Sequence, residues 1–429
     1  MIRTCEHPTR ERMTSRNSDL PRVNRNLIVH ICSIGIVPKL FLVEPFRRMR
    51  AAGYDVVLVC CDDADARYVA QASGIRFIPV PIKQGVAPIS GLIGMVRLWR
   101  LLRRLRPAIT DSHCTKAGVV GTLVSWLARV PIRIYHNHGM ALLSARGLKR
   151  AVFHLVEATA CRFATRVIYV APSNREDAVA AGVCPPGKAA VLGPGTICGI
   201  DPDRFDPVKN APRGMELRRQ AGIPPDSLVC GFVGRIVPHK GIETILQAWR
   251  LLPPELRANA YLCIFGSLGT RRMYALVNAA ASQPELHVKY LKFSNELPAW
   301  YSTMALLAQP SWHEGWGYNV LESACSAVPA VGTRISATVD AIVDGTTGLL
   351  VPVKDPQAMA AAIAALLQDP ELRRRLGQAA RDRALRDFAQ ENICPLLIHE
   401  YARLLNELGE ETRTMNAGTT GTNNRLGPG

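Results

Sequence analysis

Two successive series of short apolar runs alternating with amphipathic segments constrain this chain more than any other feature of its sequence. The first series begins near Leu27 and the second near Val229. Between them, residues 202–212 carry three prolines, both signs of charge and no hydrophobic period. Alternating strands and helices are typical of βαβ units around a parallel sheet. The pattern therefore predicts an α/β protein with two Rossmann-like, doubly wound domains facing a central cleft, joined by a linker at 202–212.

The length of the chain predicts more than one domain. With 429 residues, the chain is too long for one compact core. We place the first domain at 26–205, the second at 206–390, and a last amphipathic helix, able to return to the first domain, at 391–409. The polar ends, 1–25 and 410–429, are expected to be disordered tails.

The strands and helices follow from hydrophobic period and turn residues. Strands are predicted at Leu27–Cys32, Val56–Cys60, Phe77–Val80, Ile132–Tyr135, Val167–Val170, Ala190–Leu192, Val229–Val233, Ala260–Phe265, His287–Tyr290 and Ala305–Ala308. Helices are predicted at Phe41–Ala52, Ala64–Ala72, Ile89–Leu105, Ala117–Ala128, Arg150–Ala164, Ile242–Leu252, Arg271–Ala281, Asn319–Ser326, Asp355–Leu367, Glu371–Asp387 and Cys394–Leu408.

Charge and composition exclude several classes of protein. A net charge of +17 favours nucleic acid, an anionic membrane or phosphorylated ligands as partners. The chain has no recognised DNA or RNA module, so no nucleic-acid partner is expected. No GxGxxG follows the first strand, which argues against a dinucleotide oxidoreductase. The twelve cysteines fit no zinc spacing, and no apolar run is long enough to span a bilayer. These features predict a cytoplasmic protein with reduced thiols.

The segment 310–324, PSWHEGWGYNVLESA, is the most informative stretch. Glu314 follows a predicted strand, Gly315 and Gly317 would let the backbone approach a ligand, and Glu322 lies near the start of a helix. Carboxylates accept hydrogen bonds from the hydroxyl groups of sugars and ribose, and a helix N-terminus can bind phosphate. This pattern predicts a site for an elongated, hydroxyl-rich and phosphorylated ligand.

A second motif supplies cations at the start of the second domain. The strand Val229–Val233 runs into Gly234 and Arg235, and Lys240 directly precedes the next predicted helix. A guanidinium group can bind phosphate bidentately, and an ammonium group binds it as a point charge. Both positions therefore suit a diphosphate.

Taken in order, these motifs resemble the GT-B retaining glycosyltransferases of family 4, from about residue 27 to residue 408. Further matching segments are VLGPGTICGIDPDRF at 191–205 and DAIVDGTTGLLVPVKDP at 340–356. The segment 113–139, HCTKAGVVGTLVSWLARVPIRIYHNHG, resembles the subgroup that acts on polyprenyl-diphosphate-linked sugars in surface-polysaccharide assembly.

The resemblance implies a role for each motif residue in the second domain. Arg235 and Lys240 would hold the diphosphate of a nucleotide-sugar donor, Glu314 would contact the transferred hexose, and Glu322 would bind the ribose hydroxyls. Further donor-binding positions implied by the resemblance are Gly234, Gly315, Gly317, Tyr318 and Asn319.

In the first, acceptor-binding domain, the resemblance assigns His138 as the active-site histidine, so His138 and Glu314 are the catalytic candidates. Acceptor-side candidates are Gly35, His113 and Lys116. The chain departs from the family pattern at two places. The first strand–helix loop holds only Gly35 where many relatives have a glycine pair, and Asp340 stands where relatives often carry Glu.

The implied activity is transfer of a hexose or N-acetylhexosamine, with retention, from a nucleotide-diphosphate sugar, expected to be UDP-linked. The acceptor would be a lipid-linked saccharide in exopolysaccharide, capsule or O-antigen assembly. A sugar-nucleotide epimerase or hydrolase of the same fold is the alternative. No cofactor or metal is expected, and Asp63 and Asp65, which resemble a metal-binding pair of another fold, are interpreted as loop carboxylates.

The helix Ile89–Leu105 carries the membrane prediction. It combines an apolar stripe with five arginines at 97–106 and no acidic residue. An anionic lipid surface attracts such clusters. We expect the protein to associate peripherally with the inner face of the cytoplasmic membrane through this helix.

Overall fold

A computed structural model describes residues 23–82, 88–267, 269–292 and 294–420 of the chain. The predicted N-terminal tail lies outside these residues apart from its last three positions, and so does the end of the chain, 421–429. The described residues form two parallel sheets, each covered by helices.

The first sheet has seven parallel strands in the order β3-β2-β1-β4-β5-β6-β7. Its strands are β1 Asn24–Ile31, β2 Asp55–Cys60, β3 Arg76–Pro79, β4 Pro107–His113, β5 Ile132–Asn137, β6 Arg166–Tyr169 and β7 Ala189–Val191. Its helices are α1 Ile36–Phe41, α2 Val43–Ala51, α3 Ala64–Ser73, α4 Pro88–Leu105, α5 Cys114–Leu127, α6 Gly147–Phe163 and α7 Pro172–Ala180.

The second sheet has six parallel strands in the order β10-β9-β8-β11-β12-β13. They are β8 Leu228–Val233, β9 Ala260–Gly266, β10 Val288–Lys292, β11 Leu306–Gln309, β12 Ala330–Thr333 and β13 Gly348–Val351. The remaining helices are α8 Pro207–Gln220, α9 Ile242–Leu251, α10 Pro254–Ala258, α11 Arg271–Ala281, α12 Leu297–Tyr301, α13 Tyr318–Cys325, α14 Thr338–Ala341, α15 Pro356–Gln368, α16 Pro370–Phe388 and α17 Gln390–Thr420. Short 3-10 turns occur at Ala141–Ser144, Pro238–Lys240 and Pro284–Leu286.

Both sheets reverse their strand order at one point, and this positions the ligand cleft. In the first sheet the reversal lies between β1 and β4, and in the second between β8 and β11. Loops at the carboxyl ends of such neighbouring strands diverge and leave a crevice for ligands. The segments that follow β8 and β11 are the two motifs singled out in the sequence, so the fold brings them to one edge.

Most predicted elements are found within a few residues, but several predictions were wrong. The expected linker at 202–212 is helical from Pro207 onward, because Asp206 caps α8 and Pro207 occupies its first turn, where proline is tolerated. Strands β4, β12 and β13 and helix α7 were missed. The expected tail at 410–429 is helical up to Thr420, the end of α17.

Helix α17 lies against the first sheet rather than the second, although it follows the second domain in the chain. The Tyr401 hydroxyl donates to an Asp111 carboxylate oxygen at 2.6 Å. The Arg166 guanidinium donates to Glu400 at 2.9 Å, and both side chains are largely buried. A backbone β-bridge joins Ile200, near the end of the first domain, to Ala389, the residue that precedes α17. The C-terminal helix therefore ties the two domains together.

Within the described part of the chain, no helix is long and apolar enough to cross a membrane. Helix α4 illustrates this, since its last two turns hold exposed arginines beside buried Leu98 and Leu102.

Candidate active site

An ion pair between the two sequence motifs lies at the carboxyl edge of the second sheet. The Lys240 ammonium group is 2.6 Å from Glu314 Oε1 and 2.7 Å from Glu314 Oε2. Lys240 ends the 3-10 turn before α9, and Glu314 lies in the loop between β11 and α13. Their side chains are 18% and 7% exposed. The structure thus joins the residue predicted to bind diphosphate directly to the one predicted to bind sugar.

Two amide side chains hold Glu314 in position. The Gln309 amide nitrogen donates to Glu314 Oε1, and the Gln309 amide oxygen accepts a hydrogen bond from Asn319. Asn319 also donates to the Val233 carbonyl oxygen at 2.9 Å, which ties α13 to the end of β8. Asn319 was predicted to bind the donor, but its amide is engaged in this internal network. Sequence reasoning missed Gln309, whose signal is a polar residue at the end of an apolar strand.

Gly315 and His138 bring the two domains into backbone contact. A Cβ atom on Gly315 would lie 1.9 Å from the His138 carbonyl oxygen, so only glycine fits there. The Asn174 side chain, at the start of α7, donates to the Gly315 carbonyl oxygen at 2.7 Å. Gly315 was predicted to allow close approach of a ligand, but the close approach is to the first domain. This contact places His138 beside the Glu314 loop.

His138 is the outer member of a line of histidines that runs into the first sheet. Its Nε2 atom lies 3.1 Å from His113 Nδ1, and His113 Nε2 lies 3.0 Å from His30 Nδ1. Burial lowers the pKa of His138 and lowers the pKa of His30 to about 4, so both rings are neutral near pH 7. His113 was predicted to face the acceptor. It is 1% exposed and lies beneath His138 instead.

Glu322 is the fifth of the eight residues of α13, in its second turn, and has a perturbed pKa. Burial raises the pKa of its carboxyl group to about 7, against the hydrogen bond from the Tyr301 hydroxyl at 2.9 Å and the charge of Arg204. Glu322 also lines an interdomain cavity of about 280 Å³. Other residues lining this cavity include Lys39, Arg47, Tyr68, Arg204 and Tyr318. The cavity therefore combines three carboxyl groups, those of Glu44, Asp201 and Glu322, with several cations and hydroxyls.

Tyr318 connects the two domains and also lines the interdomain cavity. Its hydroxyl oxygen lies 2.5 Å from Thr196 Oγ1 and accepts a hydrogen bond from the Ile197 backbone N–H at 2.9 Å. The Phe41 ring packs at 4.7 Å from the Tyr318 ring. Gly317 precedes it with a φ of +79°, which favours glycine at the N-cap of α13.

The remaining predicted positions divide between the cleft and the interior. Gly234 and the exposed Arg235 directly follow β8, beside Lys240. Lys116 lies in the first turn of α5, next to the end of β4. Gly35 was expected to give a ligand room. A Cβ atom there would instead meet Asp63 Oδ1 at 2.1 Å, so the space is filled by the start of α3.

Three acidic positions flagged in the sequence have partners inside the protein. Asp63 caps α3 and accepts from the Gly35 backbone N–H at 2.8 Å, and Asp65 pairs with Lys39 at 2.6 Å. Asp340 accepts hydrogen bonds from the Ser173 hydroxyl at 2.5 Å and the Ser173 backbone N–H at 3.0 Å, at the start of α7. Asp340 therefore fixes an interdomain contact.

Two protein-family models match the chain. Residues 215–383 match the family model described as glycosyl transferases group 1, and residues 43–195 match the glycosyl transferase 4-like domain. The chain is 28% identical over 359 residues to the capsular polysaccharide biosynthesis glycosyltransferase CapM of Staphylococcus aureus, covering 84% of this chain and 92% of CapM. It is 30% identical over 297 residues to the D-inositol 3-phosphate glycosyltransferase of Thermobispora bispora, covering 66% of this chain and 67% of that protein.

A solved structure with the same architecture is that of Anabaena HepE in complex with UDP and glucose. The TM-score is 0.74 at 18% sequence identity, with 88% of this chain and 99% of HepE covered. At this identity the likeness concerns the fold. The predicted GT-B architecture of two facing parallel-sheet domains is confirmed.

Proposed function

Because the chain belongs to the group 1 glycosyltransferases, we propose that it transfers a hexose or N-acetylhexosamine from a nucleotide-diphosphate sugar to a lipid-linked saccharide. The similarity to CapM supports a place in surface-polysaccharide assembly, as capsule, exopolysaccharide or O-antigen. HepE, which shares the fold, was solved with UDP and glucose, and this supports UDP as the carrier of the donor sugar.

The observation that carries the proposal is the Lys240–Glu314 pair, which lies next to the backbone contact between Gly315 and His138 of the first domain. A carboxylate has about four lone-pair sites, so Glu314 can accept sugar hydroxyls while Lys240 and Gln309 hold it in place. Lys240 and Arg235 are cations at the edge where a diphosphate leaving group would gain charge. One site therefore supplies hydroxyl recognition and anion stabilisation together.

The mechanism follows from these positions. Glycosyl transfer passes through an oxocarbenium-like state while the leaving diphosphate gains negative charge. Preorganised cations and the N-terminus of α13 would stabilise that charge. In this proposal the side chains supply the positive charge, and no metal or cofactor is required. The transfer proceeds with retention, with the acceptor attacking from the face of the leaving group.

The assay that tests the proposal combines binding with product analysis. A panel of nucleotide sugars is screened for the one that raises the midpoint of thermal unfolding, since a ligand that binds only the folded state stabilises it. The stabilising sugar is then incubated with and without a lipid-linked acceptor. Transfer requires both substrates. Isomerised or hydrolysed sugar formed without acceptor would support the epimerase or hydrolase alternative.

The surface of the first domain supports a membrane partner. Of the predicted apolar stripe on α4, Leu102 is buried, while Leu92 and Trp99 are exposed by 63% and 41%. The side chain of Ile89 lies outside the described residues. Helix α4 packs beside α5, and α5 beside α6, where Leu148 and Leu155 are exposed by 82% and 69%. Exposed apolar residues next to arginines suit the surface of an anionic bilayer.

Co-sedimentation with anionic vesicles tests this partner. We propose salt-sensitive binding through α4, which would bring the cleft to a lipid-linked acceptor. Replacing Arg100, Arg103 and Arg104 by Ser should release the protein at low salt. Replacing the exposed Arg374, Arg375 and Arg386 on α16, in the second domain, removes the same number of charges and should leave binding unchanged. A protein that stays in the supernatant at low salt contradicts the proposal.

A further inference from the structure

A buried cluster of polar residues lies beneath His138 and has no part in the function described so far. It draws on three adjacent strands and on α17. Its members are His30 of β1, Asp111 and His113 of β4, His136 of β5 and Tyr401 of α17. All are 0–1% exposed. Burying so many ionisable groups is costly unless they are paired, so their arrangement requires an explanation.

The cluster contains a continuous line of ring nitrogens. His138 Nε2 meets His113 Nδ1 at 3.1 Å, and His113 Nε2 meets His30 Nδ1 at 3.0 Å. In each contact one nitrogen must carry a proton and the other must not, because two lone pairs or two N–H groups repel. The position of a single proton on His113 therefore sets the position of the proton on His138.

Asp111 supplies the charge that decides where this proton lies. Its Oδ2 atom accepts from the Tyr401 hydroxyl at 2.6 Å and lies 3.4 Å from His136 Nδ1. Its Oδ1 atom is buried, has no hydrogen-bond partner among the described residues, and lies 3.7 Å from His113 Nε2. Although burial acts to raise the pKa of Asp111, the neighbouring histidines, which become charged as the pH falls, outweigh burial and hold the pKa below its ordinary value. Asp111 is therefore ionised at a pH where His113 is neutral.

His113 is neutral in this setting, since burial lowers its pKa well below the ordinary value despite the attraction of Asp111. It therefore has one proton for two nitrogens. A proton on Nε2 faces the Asp111 carboxylate and donates to His30. A bare Nε2 would turn its lone pair toward that carboxylate. The Asp111 charge favours the proton on His113 Nε2, which leaves His113 Nδ1 to accept a hydrogen bond from His138.

We propose that Asp111, acting through His113, holds His138 as the tautomer protonated on Nε2, so that His138 Nδ1 presents a lone pair to a hydroxyl group of the donor sugar. This rests on the proposed function, in which His138 faces the transferring sugar. Asp111 and His113 are positioning residues. The proton of His30 then lies on its own Nε2, which has no hydrogen-bond partner among the described residues. The ring centroids of His30 and Phe46 are 4.7 Å apart at an interplanar angle of 65°, and an N–H group can donate weakly to an aromatic ring.

The test is the replacement Asp111→Asn, which keeps the shape and removes the charge. An amide can donate to His113 Nε2, which moves the His113 proton to Nδ1 and the His138 proton to its own Nδ1. The same logic explains why an Asp→Asn change beside the histidine of a serine-protease triad gives the wrong tautomer. Long-range ¹H–¹⁵N NMR on ¹⁵N-histidine protein reads the tautomer directly, with His138→Gln used to assign the ring signals.

Tyr401→Phe is the control, because it removes the hydrogen bond to the other oxygen of the same carboxylate. Only Asp111→Asn should reverse the His138 tautomer, because Tyr401→Phe leaves the Asp111 charge in place. We expect kcat to fall by about 10²-fold in Asp111→Asn and by less than about threefold in Tyr401→Phe, with the KM for the donor nearly unchanged in both.

The NMR spectrum of the wild-type protein reports the tautomer of His138 without any substrate, so the proposal stays testable even if a variant fails to fold. A wild-type His138 protonated on Nδ1 overturns the proposal. So does stoichiometric binding of added Zn²⁺ at His30, Asp111 and His113, because a metal on His113 Nε2 leaves no proton there. If the tautomer reverses in Asp111→Asn but kcat does not change, the positioning stands and the role of His138 in the proposed function is wrong.

Discussion

Removal of the Lys240 ammonium group should destabilise the second domain as well as abolish transfer. The sequence places Lys240 directly before a predicted helix, as a cation suited to a diphosphate. In the structure it is the cation closest to a Glu314 carboxylate that is only 7% exposed. Lys240→Ala leaves that carboxylate buried with Gln309 as its remaining side-chain donor. A buried charge without its counter-charge is the main source of the expected loss.

The magnitude follows from the burial of the pair. Breaking a fully buried ion pair costs about 3–5 kcal/mol, and the 18% exposure of Lys240 places the present case nearer 2 kcal/mol. For a domain of this size, this corresponds to a fall of roughly 4–8 °C in the unfolding midpoint. The double variant Lys240→Ala/Glu314→Gln removes both charges, so it should recover about half of the loss. In both variants we expect transfer activity to be about 10²-fold or more below that of the wild type.

Thermal unfolding and donor-dependent transfer, measured on the same preparations, separate the two effects. Lys209→Ala is the matched control, since Lys209 forms an ion pair of similar length with Asp203 but both side chains are exposed. Exposed pairs contribute little, so its unfolding midpoint should not change. The reasoning is refuted if Lys240→Ala unfolds at the wild-type temperature, or if adding Glu314→Gln brings no recovery. Near-wild-type turnover in Lys240→Ala would refute its donor role.

Three further outcomes are expected. Burial raises the pKa of Glu322 to about 7, so the stability that its neutral form contributes at pH 5 is lost as the pH rises through 7. Glu322→Gln should flatten this fall in the unfolding midpoint, measured between pH 5 and 8. Chelation by EDTA should leave transfer rates intact, whereas loss of activity and rescue by manganese would implicate Asp63 and Asp65. Asp340→Ala should lower the unfolding midpoint by several degrees, because Ser173 loses its interdomain acceptor, while donor affinity measured by calorimetry stays within about threefold.

The architecture could be predicted because alternation between strand and helix periods extends over most of the chain. The strands and the helix that the sequence did not predict were missed for physical reasons. Strand β4 reads PAITDSH, and its polar second half hides the apolar run expected of a buried parallel strand. The short strands β12 and β13 hold four residues each, too few to establish a period. In α8, the internal Pro212 argued for a linker, yet the helix continues through it.

The candidate site could be predicted in its residues but not in their pairing. The motifs identified Glu314 and Lys240, which the fold brings to 2.6 Å. The sequence assigned the two residues to different parts of the ligand, because the spacing of loop residues along a chain does not show which side chains are in contact. Gln309 and Asp111 were missed, because each belongs to a strand and only its partners in the fold give it a role. The partners of Gln309 are Glu314 and Asn319, and Asp111 meets His113 and Tyr401.

The polar strand β4 links the fold to the site. Thr110, Asp111, Ser112 and His113 are 0–1% exposed in the middle of a sheet, where apolar residues would stabilise the domain more. The cost of burying Asp111 is partly offset by the hydrogen bond from Tyr401 of α17, a helix that follows the second domain. Because β4 lies at the point where the strand order reverses, its carboxyl end opens directly beneath His138. The C-terminal helix therefore completes the interior of the first domain at β4, the strand that carries Asp111 and ends beneath His138.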